Sequence, residues 1–200
     1  MSLSEKIAKR AERGGPGWVF TRSDLVDLGS THAIGMALQR LLKNGEVRRV
    51  ARGLYEVPRT HAELGTLSPD IEKVARALAG RHRIRLQPTG AYAANALGLS
   101  EQVPAKVVFL TDGPSRRVKI GRQEIQLLHT SPRNMATAGR LSGMLIQAFR
   151  SLGQQHITPA RMKQLKRTLP EKERRKLLKD LPLTPTWMHP LFRELAGNSL

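Results

Sequence analysis

The sequence predicts an α+β protein in two parts: a small N-terminal helical unit closed by a hairpin, then a larger α+β unit ending in basic helices. Three observations carry the prediction. Apolar residues recur at helical spacing before residue 45 and again after residue 137. Short β-rich runs bounded by Gly, Asn and Pro lie between and beside those stretches. The chain's 200 residues also exceed what one core commonly organises, so the expected division is residues 1–60 and 61–200.

Composition narrows the function classes. The chain is 40% hydrophobic and 4% aromatic, enough Leu, Ile, Val and Ala to fold. Against 16 Asp and Glu stand 34 Lys and Arg, a net charge of +18. Such an excess repels itself in a compact state and suits a polyanionic partner, either nucleic acid or an acidic protein surface. Cysteine is absent, which excludes disulfides, thiolate metal sites and a Cys nucleophile. The six His lack the paired spacing zinc needs, so neither metal nor cofactor is expected. Residues 1–13 are polar and amphipathic rather than a secretory signal, and no long apolar run is present, so the expected location is the cytoplasm, without membrane attachment.

The first helix is expected from Ser2 to Arg13, with Leu3, Ile7 and Ala11 on one face, stopped by Gly14-Gly15-Pro16-Gly17. Trp18-Val19-Phe20 reads as a short strand. Thr21 and Asp24 have N-cap and N3 identities that open a second helix through Leu25, Val26 and Leu28, closed by Gly29. Ser30 caps a third, with Ile34, Ala37, Leu38, Leu41 and Leu42 at helical spacing until Asn44-Gly45. Glu46–Val50, the turn Ala51-Arg52-Gly53, and Leu54–Val57 before Pro58 make a hairpin. Two short helices joined by a tight turn and followed by a hairpin read as a winged helix-turn-helix.

The third helix suits the major groove of double-stranded DNA. Opposite its apolar stripe lie His32, Met36, Gln39, Arg40 and Lys43, with Ser30 and Thr31 at its start. Gln39 can pair with adenine and Met36 can pack on a thymine methyl, with His32 a third base-edge candidate. Arg40 and Lys43 are placed for phosphates. Arg48, Arg49 and Arg52 surround the wing's glycine turn, a natural phosphate or minor-groove finger. The same surface could instead pack on protein or be a solvated face.

Residues 59–66 read as a linker, after which Ser68-Pro69 starts a helix carrying Ile71, Val74, Ala75 and Leu78. Strands are expected at Arg83–Leu86 and Val107–Leu110, and a small-residue helix at Ala91–Leu97. Val118–Ile120, the turn Gly121-Arg122 and Glu124–Leu128 form a second hairpin. A winged helix followed by Pro88-Thr89-Gly90-Ala91, Asn95-Ala96-Leu97-Gly98-Leu99, Pro104-Ala105-Lys106, Thr111-Asp112-Gly113 and Ile120-Gly121-Arg122 resembles the AbiE-type antitoxins of bacterial type IV toxin-antitoxin systems, over residues 5–135. The resemblance implies a phage-defence regulator whose winged helix represses its own operon at inverted repeats. It further implies that the C-terminal domain neutralises a cognate nucleotidyltransferase toxin. The operator-binding role then falls on Ser30–Lys43 and on Arg48, Arg49 and Arg52.

Two other classes were weighed. A DNA-processing enzyme of the restriction type needs an Asp on one strand and Glu-x-Lys on the next, so that two carboxylates hold Mg²⁺. Asp112 and Glu124 have tolerable spacing, yet Gln126 replaces the lysine, and Asp112-Gly113-Pro114 reads as a turn in which Asp112 caps its own backbone. No nucleophile elbow or P-loop is present, and Gly139–Gly143 falls in a helix; no catalytic residue is expected. The third class is an architectural nucleic-acid-binding protein.

The C-terminal third predicts a long helix from Thr137 to Leu152, with Met144 facing the core. A second helix opens at Thr158-Pro159, and a basic one spans Glu171–Leu181 before Pro182, Pro185 and Pro190. Trp187 is expected to anchor the tail on the core. Residues 1–60 carry 11 basic and 6 acidic side chains, net +5, which leaves +13 of the +18 to residues 61–200. Arg161, Lys163, Lys166, Arg167, Arg174, Arg175, Lys176 and Lys179 form the expected electrostatic surface, for further DNA or for an acidic partner.

Overall fold

The computed structural model describes residues 1–80 and 84–197, and its architecture is α+β. The chain divides into two compact units, Met1–Ile84 with Val118–Gly121, and Arg85–Arg117 with Arg122–Leu200. Among the described residues, no helix is long and apolar enough to cross a membrane.

In the first unit, α1 (Leu3–Gly14) begins at a reciprocal cap. The Ser2 hydroxyl accepts the Glu5 N–H at 3.2 Å while the Glu5 carboxylate accepts the Ser2 N–H at 2.9 Å. Strand β1 (Val19–Thr21) follows. The helix expected from Thr21 to Leu28 is instead one 3₁₀ turn, Arg22–Leu25, and then non-helical turns. The capping chemistry is present: the Asp24 carboxylate accepts the Thr21 N–H at 2.7 Å and its hydroxyl at 2.9 Å. In place of an α-helical continuation stand one local turn and one tertiary contact. The Leu28 N–H turns back to the Leu25 carbonyl at 2.9 Å, and the Asp24 carbonyl accepts from Arg10 at 3.0 Å.

Helix α2 (Thr31–Lys43) is the expected third helix. The Ser30 hydroxyl accepts the Ala33 N–H at 3.3 Å, and Gly45 supplies the positive φ of 75° that turns the chain away. Strands β2 (Arg48–Ala51) and β3 (Leu54–Glu56) form the hairpin, with Gly53 at φ 78° in its turn. Antiparallel pairing of β1 with β3 completes a sheet of order β1-β3-β2. Ile7, Phe20, Leu25, Ile34, Leu38 and Leu41 are its core.

The expected linker is structured. β4 (Thr60–His61) and β5 (Gly65–Thr66) pair within it, and the Leu67 N–H returns to the Arg59 carbonyl at 2.8 Å. Helix α3 (Ile71–Ala79) is capped not by Ser68 but by Asp70, whose carboxylate accepts the Lys73 N–H at 3.1 Å. Its buried Val74 and Ala75 pack the helix on β1 and β3. The first unit therefore continues past residue 60, because the hydrophobic face of α3 closes a sheet that composition had treated as finished.

In the second unit β6 is Leu86–Thr89; the expected strand start, Arg83, lies outside the described residues. Helix α4 is Gly90–Ala96, and strands β7 (Lys106–Thr111), β8 (Arg116–Ile120) and β9 (Gln123–His129) follow, Val118–Ile120 of β8 being grouped with the first unit. The sheet order is β6-β7-β9-β8, antiparallel between β6 and β7 but parallel between β7 and β9. Helix α5 (Leu141–Leu152) starts later than Thr137: Gly139, at φ 76°, sits in the turns before it and is not helical. Helix α6 (Pro159–Thr168) opens with Thr158 as cap and Pro at the first position, as expected. The basic helix shortens to α7 (Glu171–Lys176) and tightens into 3₁₀ geometry over Leu177–Leu183, where Pro182 offers no N–H. Helix α8 (His189–Ala196) closes the chain. Its Phe192 meets Phe149 of α5 edge to face at 6.4 Å, and Met144 and Trp187 pack on the same core.

Gly143 shows how tightly α5 is set. A methyl there would lie 2.3 Å from the Thr137 carbonyl oxygen and 2.3 Å from Gln87 Oε1. Alanine is elsewhere the better helix residue by about 1 kcal/mol. We therefore expect Gly143→Ala to lower stability by about 1–3 kcal/mol through overpacking, read as a fall in urea midpoint; an unchanged or raised midpoint would contradict this packing.

Candidate nucleic-acid interface

Helix α2 presents two opposed faces. Ile34, Ala37, Leu38 and Leu41 are buried, whereas Thr31, His32, Met36, Gln39, Arg40 and Lys43 are exposed, with Ser30 exposed at the cap. His32, Met36, Gln39 and Lys43 are spaced by four, three and four, so they form one stripe along the helix; Arg40 flanks it. Met36 is 47% exposed, one of several large apolar side chains left at the surface among the described residues.

The helix is held in place from its N-terminal side. Arg10 of α1 forms a two-pronged ion pair with Asp27, at 2.7 and 2.6 Å, fixing the turn that leads into α2. This hydrogen bonding raises the Arg10 pKa above its ordinary value. Arg22, a residue the sequence reading missed, lies at the base of the helix. Its guanidinium is 3.8 Å from where a Gly35 side chain would begin, so it lies over the helix flank beside Thr31 and Gln39. Its signal in the sequence was weak: one arginine beside the Thr21 cap.

The three arginines of the β2–β3 hairpin separate. Arg49 and Arg52 are exposed, with Arg49 donating to the Ala51 carbonyl at 3.3 Å. Arg48 is a correction. Directly across the ladder from it stands Glu56, whose side chain is fully buried. Arg48 Nε donates to that carboxylate at 2.6 Å and its Nη2 to the Leu67 carbonyl. The guanidinium is thus committed to neutralising a buried charge and tying down the segment after β5. Nothing in the sequence marked Glu56 as buried, and strand alternation alone could not tell which face of β2 would turn inward.

The basic C-terminal block also divides. Arg174 reaches inward to the carbonyls of Leu169 at 3.2 Å and Leu195 at 2.7 Å, so it pins α7 to α8 rather than facing a partner. Lys166 pairs with Glu194 at 3.0 Å and Lys176 with Glu173 at 2.5 Å, Arg175 pairs with Glu171, and Arg161 donates to the His156 carbonyl. Lys163, Arg167 and Lys179 are exposed and make no hydrogen bond or ion pair among the described residues. Lys163 and Arg167 share one face of α6.

The two carboxylates weighed for metal chemistry are not brought together. β7 and β9 run parallel with Lys106 opposite Glu124 and Thr111 opposite His129. Asp112 therefore follows one end of the ladder while Glu124 sits at the other, roughly 20 Å away at about 3.3 Å per residue. Nor does Asp112 cap its own turn. It accepts the Arg85 N–H and Nε, both at 2.8 Å, while the Thr111 hydroxyl takes the Gly113 N–H at 3.0 Å. The Arg85 hydrogen bond holds the Asp112 carboxyl below the usual carboxylate range.

Two predictions follow from these pairings. Removing Arg48 strands a buried carboxylate, so Arg48→Ala should destabilise the protein by about 3–5 kcal/mol, whereas Arg52→Ala should leave the denaturation midpoint within error. Equal midpoints would return Arg48 to the exposed set. Because the folded pKa of Asp112 is depressed, its contribution is complete above the unfolded value of about 3.9 and fades as pH falls through the folded value. The stability difference between wild type and Asp112→Asn should accordingly be constant near neutrality and shrink below about pH 4, measured by urea melts across pH.

The chain belongs to a family of unknown function (DUF6088), whose model matches residues 4–177. In the search of curated proteins, no match is found. Among solved structures, the chain is similar to the crystal structure of the RV2827C protein from Mycobacterium tuberculosis, with 14% identity and a TM-score of 0.48. That match covers 98% of this chain and 76% of the other.

Proposed function

We propose that this family member is a DNA-binding regulator whose N-terminal unit is a winged helix-turn-helix. The observation that carries the reading is the exposed stripe His32, Met36, Gln39 and Lys43 on a helix whose opposite face is sealed in the core. A helix so held can enter a major groove as a rigid body, and side chains of these lengths reach base edges. Arg40, Arg22, Arg49 and Arg52 supply exposed positive charge at the flank, base and hairpin turn, where phosphates would lie. In this reading α2 reads sequence and the cations set affinity.

The resemblance to AbiE-type antitoxins extends the proposal: the chain represses its own operon at inverted repeats, and its second unit neutralises a cognate nucleotidyltransferase toxin. The exposed cations Lys163, Arg167 and Lys179 suit an acidic partner surface. No cofactor enters this activity.

Gel-shift titration against the chain's own upstream DNA and against random duplex tests the proposal. A regulator should prefer its operator by about 10³-fold or more at physiological salt. Gln39→Ala should reduce that preference. Arg52→Ala should weaken both duplexes alike and lower the salt slope by about one. Absence of affinity for any duplex at low salt would overturn the assignment, and an unchanged preference in Gln39→Ala would move base reading to another face.

A further inference from the structure

The second unit contains a cavity of about 310 Å³ between the turns preceding α5, α5 itself and the proline-bounded segment before α8. Arg133, Asn134, Gln147 and Arg150 give it polar lining, and Ile146 and Leu183 give it an apolar side; no carboxylate lines it among the described residues. Its size lies at the lower end of the range for small-molecule pockets, about 300–1,000 Å³.

Gln147 is the informative residue. It is 7% exposed, and its Oε1 accepts the Thr89 hydroxyl at 2.8 Å. Its amide N–H₂ makes no hydrogen bond among the described residues and, unlike the buried atoms that lack a partner, stays open to solvent, so it is free to donate to a ligand. Arg133 and Arg150 are exposed, and their guanidinium groups likewise form no hydrogen bond or ion pair among the described residues. Two guanidinium forks and one amide donor therefore line one cavity without an acceptor. Asn134 differs: one N–H of its amide donates to Thr130 Oγ1 at 2.8 Å, leaving the second N–H and the oxygen. Leu183, 49% exposed, is a large apolar side chain that the core does not use.

We propose that this cavity binds a phosphate monoester. Three terminal oxygens match two guanidinium forks and an amide better than the two oxygens of a carboxylate. A charge near −2 at neutral pH balances two arginines. The organic remainder of the ligand lies against Ile146 and Leu183. The same chemistry can come from a phosphorylated small molecule or from the 5′-phosphate end of a nucleic acid.

The test uses the full-length chain and backbone amide NMR. Adenosine 5′-monophosphate should shift resonances of residues 133–150 and 182–185 and bind more tightly than inorganic phosphate. Arg133→Ala, Arg150→Ala and Gln147→Leu should each weaken binding by about tenfold, the effect of losing one charge-assisted hydrogen bond. Arg167→Ala, which removes an exposed cation elsewhere, should not. Because Gln147 is buried, the two arginine variants decide the matter if Gln147→Leu fails to fold. A short single-stranded oligonucleotide with and without its 5′-phosphate separates the sources. A preference for the phosphorylated strand that is lost in Arg133→Ala assigns the nucleic-acid end, and its absence alongside adenosine monophosphate binding assigns the small molecule. No localised shift with any phosphate, or equal weakening by Arg167→Ala, overturns the site. DNA binding through α2 stands or falls separately, since Gln39→Ala leaves this cavity intact.

Discussion

The roll of helix α2 about its own axis is the constraint on which the candidate interface depends. Ile34, Leu38 and Leu41 are each almost wholly buried against Ile7, Phe20 and Leu25. Burying each such side chain contributes on the order of 1.5–3 kcal/mol, so rotating the helix by even one position would expose most of that surface. Gly29 and Ser30 fix where the helix begins, and the Arg10–Asp27 pair holds the turn before it. The outward stripe is therefore a consequence of the core: once the apolar face is sealed, His32, Met36, Gln39 and Lys43 have nowhere else to point.

Where the sequence was legible, a local signal and a tertiary one agreed. Ser30 as cap, the periodic leucines and Gly45 all specify α2, and the Thr158-Pro159 start specifies α6. Where it misled, a tertiary contact or a competing local bond replaced the expected one. Thr21 and Asp24 do make their capping contacts, yet no α-helix follows, and Arg10 occupies the Asp24 carbonyl. Ser68-Pro69 has the composition of a helix start, but Asp70 competes as cap and wins. The parallel pairing of β7 with β9 was invisible because a strand's composition carries no information about its partner. The segment 59–66 was hidden for a different reason: its hairpin pairs only Thr60–Thr66 and His61–Gly65, too short for any period to register.

Charge was the least legible property at the level of single residues. The net charge of +18 raises the expectation of a polyanionic partner, but a guanidinium carries five donors and can be consumed by the fold as readily as offered to a ligand. Arg10, Arg48, Arg85 and Arg174 are consumed in this way, by Asp27, Glu56, Asp112 and backbone carbonyls respectively. Arg48 and Arg49 are adjacent and chemically identical, yet the alternation of β2 turns one onto a buried carboxylate and leaves the other exposed. The cations that remain available are those without an opposed carboxylate or carbonyl, and only packing decides which they are.

The two mid-helix glycines make the same point about space. Gly35 in α2 and Gly143 in α5 interrupt helical patterns in similar ways, and neither has a positive φ. At Gly143 the missing side chain is filled by Gln87 and the Thr137 carbonyl, so the glycine lets α5 approach the segment before it. At Gly35 the nearest atoms are those of the Arg22 guanidinium at ordinary van der Waals distance, on a surface otherwise open. The first glycine is a packing requirement; the second leaves a shallow place on α2 in which a cation rests. A positive charge held there, against the backbone and within one turn of Thr31 and Gln39, lies where a phosphate strand would pass if α2 entered a groove, and a side chain at position 35 would meet it first.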